Sequence, residues 1–177
     1  MLLTNIFMTT NQMKSFLKPI VTLVCLCASL AANSASVKCL DVLLGGEKIV
    51  GIAKTGQVLN DLRFELISNL QKSNPAALNG MNITEAMAHT AMLAIGTGFA
   101  SNSSIVLIRV PISHPDYFAM LNLVVIDVNI FLSHGKTAVD RLTSLREDTK
   151  DIPIKNTLAK IINTSNNVLA ELGACKQ

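Results

Sequence analysis

Glu85 and His89 stand four residues apart in the run Thr84 to Ile95, whose Ala- and Met-rich composition predicts a helix. At that spacing both side chains lie on one face, so the carboxylate can orient the imidazole for acid–base work or supply half of a metal site. A catalytic zinc needs three protein ligands and the His-Glu-x-x-His pattern is absent, which leaves a helical Glu–His contact as the plain reading. Asp127 is the third candidate. It lies in the most apolar part of the chain, where a buried carboxylate must be paired or protonated, and Arg109 or partial exposure to water would satisfy it. Asn122 and Asn129 do not extend it into one polar face: successive offsets along a helix are about 140° and 160°.

Other chemistry is excluded by pattern. There is no Gly-x-Ser-x-Gly and no phosphate-binding loop, and Gly96-Thr-Gly98-Phe-Ala-Ser101 follows a predicted helix and ends in Ser, unlike a dinucleotide loop. No cofactor and no metal are expected. His114 and Asp116 flank Pro115 at a predicted helix start, and His134 precedes Gly135 at a predicted helix end, so the helix dipole accounts for their positions.

Residues Ile20 to Leu30 form an apolar run preceded by Lys14 and Lys18 and followed by Ala31-Ala-Asn-Ser-Ala-Ser36, the layout of a secretory signal peptide with cleavage expected after Ala35. Reading from Met13 gives the same signal in compact form. The run is short of the roughly 20 residues of a membrane span, so no stable membrane anchor is expected after cleavage. Removing 35 of 177 residues leaves one domain, 36–177, of 142 residues. Lys14 and Lys18 leave with the signal, so 15 basic residues become 13 against 12 acidic ones, a net of +1. A near-neutral chain whose aromatics are Phe64, Phe99, Tyr117, Phe118 and Phe131 offers neither the basic cluster nor the stacking platforms of a nucleic-acid binder.

Four cysteines become two, because Cys25 and Cys27 lie in the signal. Cys39 opens the mature chain and Cys175 nearly ends it. In an oxidising compartment they are expected to pair and tie both termini to one core, worth on the order of 5 kcal/mol in the chain-entropy picture. Cys-x-x-Cys spacing is absent from this pair, so neither redox nor metal chemistry is expected of it.

Periodicity supplies the elements that must position these residues. Ile154, Leu158, Ile161, Ser165, Val168, Leu172 and Cys175 fall at steps of four and three, a helix starting near Pro153 with Asp151 as N-cap. Leu59, Leu62, Leu66 and Leu70 make a second stripe ended by Asn74 and Pro75, and Val139, Leu142 and Leu145 a third within Lys136–Lys150. Leu40–Lys54 reads as a helix kinked at Gly45-Gly46. The Thr84 helix is expected to break at Gly96 and Gly98, and Ile105–Ile108 fits a strand or a buried helical turn. Pro115–Leu132, apolar nearly all round, reads as a central helix stopped by Gly135, with a strand over Leu123–Phe131 as the competitor. Links are therefore expected near Asn74, Ser101, Ser113, Gly135 and Ile152.

The expected fold is an all-α bundle of five or six helices with its termini joined by a disulfide; the alternative is an α+β chain with a short hairpin around 105–131. The expected function is that of an exported, periplasmic or secreted binding module acting on another envelope or extracellular protein, such as an inhibitor, immunity or accessory protein. The alternatives are a small hydrolase or metal-dependent enzyme using Glu85, His89 and Asp127, and a carrier of a small apolar ligand between Met81, Met87, Met92 and Met120. Thiol titration of the exported protein, denatured without reductant, is expected to find no free thiol; two would refute the Cys39–Cys175 bond.

Overall fold

Apolar residues three and four apart build four long helices in the computed structural model, which describes residues 38–175. The expected signal segment, its cleavage site and Lys176 lie outside the described residues. A short helix over residues 38–43 (α1) is followed by α2 (Glu47–Ser73), α3 (Met81–Arg109), α4 (Tyr117–Asp148) and α5 (Ile152–Glu171). Single 3-10 turns cover Pro75–Asn79 and Gly173–Cys175. The protein is an all-α bundle, and no strand occurs among the described residues. Neighbouring long helices pack in chain order and α5 closes on α2, so the four occupy the corners of a square, with α3 and α5 touching lightly across it.

Local signals account for the helix ends. Gly46 sits at φ +53°, a backbone region that costs glycine nothing, and there the chain turns from α1 into α2. The Asp151 side chain accepts the backbone N–H of Ile154 at 3.0 Å and caps α5 as expected. The stripe from Ile154 through Leu158, Ile161, Ser165, Val168 and Leu172 to Cys175 is buried along its whole length.

Three expectations are corrected. Gly96 and Gly98 do not break α3: the helix runs on through Ile105–Ile108, so the hairpin alternative around 105–131 falls. Gly135 does not stop α4. The predicted helices Pro115–Leu132 and Lys136–Lys150 are one helix, starting two residues after Pro115, and neither Ser101 nor Gly135 is a link. Nor is α4 central. It occupies one corner of the square, burying Tyr117, Leu121, Val125, Val128, Leu132, Gly135, Ala138 and Leu142 and leaving its opposite side outward.

Close packing explains Gly96 and Gly135, which have the local character of helix ends, and Gly56. A Cβ added at Gly96 would stand 2.4 Å from the Phe131 Cβ, one at Gly135 would stand 2.7 Å from Leu93, and one at Gly56 would collide with Thr97. At each of them a neighbouring helix packs directly on the bare glycine backbone, through the Phe131 side chain at Gly96, Leu93 and Leu169 at Gly135, and Thr97 with the Ala94 carbonyl at Gly56. The intrinsic helix penalty of glycine, about 1 kcal/mol, is offset there by direct contact between helices.

Both ends of the described residues are stitched to the same body. Cys39 is bonded to Cys175, both fully buried. Asn129 of α4 donates to the Cys175 carbonyl at 2.7 Å, and the buried Ser104 hydroxyl of α3 donates to the Leu43 carbonyl at the end of α1. On the α2–α5 side, Thr157 accepts from Asn69 at 3.2 Å and its hydroxyl lies 2.8 Å from Glu65, which also meets Lys160.

The glycines of α3 give opposite expectations. Gly98 has open space around its missing Cβ, so Gly98→Ala should stabilise the protein by about 0.5–1 kcal/mol through helix propensity. Gly96→Ala should destabilise by about 1–3 kcal/mol because Phe131 must move. Urea unfolding of both variants measures the difference, and a stabilising Gly96→Ala would refute the close contact.

Candidate functional site

Antiparallel packing of α3 on α4 sets the site. Gly96 meets Phe131 and Gly135 meets Leu93, and the same register brings His89 to His134 and Glu85 to Arg141. The His89 and His134 Nδ1 atoms lie 2.8 Å apart, with ring centroids 5.0 Å apart and planes tilted by 35°. At that distance one neutral ring carries its proton on Nδ1 and donates it to the other. Arg141 reaches Glu85 at 2.6 Å, a half-exposed ion pair whose stabilisation is at most about 1 kcal/mol.

The chemistry of this cluster follows from its surroundings. Desolvation holds the His89 imidazole below its ordinary value of 6.5, His134 and Arg141 push it the same way, and Glu85 opposes them. His89 is therefore kept neutral near physiological pH, a form that can serve as a base or a metal ligand. No group of three His, Cys, Asp or Glu side chains converges among the described residues, so a closed protein metal centre is not formed there.

Each sequence-predicted residue can now be placed. Cys39 and Cys175 form the expected bond. Glu85 and His89 share the expected face of α3, but each finds its close partner on α4 instead of in the other. Asp127 stands apart, seven residues and about 10 Å of helix rise from His134, half-buried and making no ion pair with Arg109 among the described residues. His134 is corrected from a helix end to the middle of α4. Arg141 was not singled out from the sequence, although both belong to the α3–α4 seam. His114, at the α3–α4 turn, instead accepts the backbone N–H of Asp116 at 3.2 Å.

Two clefts lie elsewhere. One of about 560 Å³ between α4 and α5 is lined by Lys136, Asp140 and Asn166 among others. One of about 600 Å³ lies at the bundle end formed by the α2–α3 and α4–α5 connections. Neither contains Glu85, His89, Asp127 or a methionine, and Met81 is widely exposed.

The outward side of the α3–α4 pair is a different kind of surface. Ile95, Ile105 and Val106 of α3 and Leu123, Ile126 and Ile130 of α4 are exposed; Leu123 reaches 64% and Ile95 55%. Between His89 and Arg109 no residue is ionisable, and between Tyr117 and His134 Asp127 is the one carboxylate. By length and composition α3 and α4 each hold a stretch apolar enough to cross a membrane, of mean hydropathy 1.6 and 1.5, of which 39% and 28% is buried in the bundle. Searches against protein families, curated proteins and solved structures yield no match to the chain.

The lowered His89 value sets the sign of a pH effect. As pH falls below 6.5 the unfolded chain takes up a proton before the folded one does, so folding stability drops from there down to the folded-state value. The groups facing His89 are His134 and Arg141 of α4 and Glu85 of its own helix. Unfolding at pH 7.5 and pH 5 should show a loss for the wild type that His89→Gln reduces; an equal loss in both would contradict it.

Proposed function

We propose that this chain is an exported, periplasmic or secreted protein-binding module whose contact surface is the outward side of α3 and α4. The observation that carries the reading is the apolar exposure of Ile95, Ile105, Val106, Leu123, Ile126 and Ile130 on a bundle whose own core is already filled. Exposed apolar residues in this number on two neighbouring helices mark an interaction surface. The outside of α5 beyond Ile152 carries charge and amide groups, as with Lys155, Lys160, Asn163 and Asn167, and α2 exposes Val50, Val58 and Phe64 spread along its length, so the exposed apolar residues are most numerous on α3 and α4.

The polar residues on that side favour a protein over a lipid surface. Asn102, Asn122 and Asp127 interrupt the apolar positions, a penalty in hydrocarbon but an ordinary source of hydrogen bonds in a protein interface. The Cys39–Cys175 bond supports export, since such bonds persist in oxidising compartments. A disulfide-closed bundle also loses little conformational freedom on docking.

The test is affinity capture from the cell envelope with wild type and with a Leu123→Glu/Ile126→Glu double variant. Both positions are solvent-exposed, so the variant should keep wild-type stability to within about 0.5 kcal/mol per substitution. Wild type is expected to retain a stoichiometric protein that the variant loses, with affinity reduced at least tenfold. Equal retention by both, or flotation of the wild type with lipid vesicles in place of a protein partner, would overturn the reading.

A further inference from the structure

The His89–His134 contact brings two imidazole nitrogens from different helices to hydrogen-bond distance, a separation that one metal ion can also bridge. Two imidazole nitrogens bound to one first-row metal ion at about 2.0–2.1 Å stand about 2.9 Å apart when the angle at the metal is 90°, and about 3.4 Å apart when it is tetrahedral. The two Nδ1 atoms are 2.8 Å apart. The separation already matches two adjacent positions around a square-planar or octahedral ion; each Nδ1 lone pair must turn by about 45° from the N···N line to meet there, and neither ring is fully buried, so both can turn and water can enter. The backbones beneath them are held by the glycine contacts, Gly135 directly after His134 and Leu93 one turn from His89.

We propose that His89 and His134 are the two protein ligands of an open site for a divalent transition-metal ion, of the Cu2+ or Ni2+ type, bridging α3 and α4. Imidazole nitrogen and a 90° angle suit these ions, and water fills the remaining positions because no third His, Cys, Asp or Glu joins the pair among the described residues. Metal binding replaces the proton shared between the rings. The ring that carried it on Nδ1 moves it to Nε2, both imidazoles stay neutral, and both Nδ1 lone pairs turn to the ion.

Arg141 restrains the site. Its guanidinium lies close enough to act on His89 electrostatically, and it occupies Glu85, the carboxylate one turn from His89. A positive charge beside a cation site weakens binding, and Glu85 released from Arg141 would supply negative charge to the ion. The proposal uses none of the outward apolar residues, so it stands or falls independently of the protein-binding reading.

The experiment is calorimetric titration of the untagged, oxidised, exported protein at pH 7.5 with Cu2+ and, separately, Ni2+. One equivalent is expected to bind and to raise the melting temperature by about 9 °C at a metal concentration about a hundredfold above Kd. His89→Gln and His134→Gln should each weaken binding at least tenfold, His114→Gln should leave it unchanged, and Arg141→Gln should tighten it several-fold. Circular dichroism checks that each variant is folded. Paramagnetic resonance of the wild-type Cu2+ complex provides a readout that needs no variant, with two equivalent nitrogens expected in its hyperfine pattern. Absence of saturable one-to-one binding, binding indifferent to both histidine substitutions, or a spectrum without nitrogen ligands would overturn the proposal.

Discussion

Close approach of α3 and α4 through Gly96 and Gly135 is the contact on which the rest of the structure depends. With no Cβ at these positions, Phe131 and Leu93 sit against bare backbone, and the two longest helices of the bundle lock in one antiparallel register. That register puts His89 opposite His134 and Glu85 opposite Arg141, and it turns Leu123, Ile126 and Ile130 outward beside the outer residues of α3. A shift of one residue along α4 would rotate every one of these side chains by about 100° and dissolve the arrangement.

The remaining contacts hold that pair in place from behind. α5 reaches α4 through Leu169 at Gly135, and the turn that follows it ends at Cys175. There the disulfide, the Asn129 amide and the Ser104 hydroxyl tie α1 and the chain end to α3 and α4. Asn129 is a polar side chain in an apolar helix because it satisfies a carbonyl that has left helical geometry. Tethering of Cys39 and Cys175 at the two ends of the described residues helps the bundle's surfaces keep their shape, as both a protein interface and a two-ligand metal site would require.

Much of this was legible in the residues. The α5 stripe, its Asp151 cap and the pairing of Cys39 with Cys175 follow from spacing and redox chemistry alone, because each is a local pattern or a matter of simple counting. The helix expected over Leu40–Lys54 with a kink at Gly45-Gly46 is instead broken there into α1 and α2. The errors came from glycine. Gly96, Gly98 and Gly135 have the local character of helix stops, and only the partner helix shows that Gly96 and Gly135 are contact points. One signal would have corrected the boundary: Leu121, Val125, Val128, Leu132, Gly135, Ala138 and Leu142 keep a step of three or four through Gly135 without a change of phase. With α4 divided there, His134 looked like a helix-end cation and its meeting with His89, 45 residues away, could not be seen. Asp127 is a carboxylate in an apolar run, and its half-buried position leaves it in partial contact with water.

The α3–α4 register is tested most directly by a carbon-edited nuclear Overhauser spectrum of the oxidised protein labelled at Gly, Phe and His. Cross-peaks between the Gly96 α protons and the Phe131 ring, together with cross-peaks between the His89 and His134 rings, are the predicted result. A spectrum lacking both sets, with Gly96 and Gly135 showing the carbon shifts of helix ends, would contradict the account.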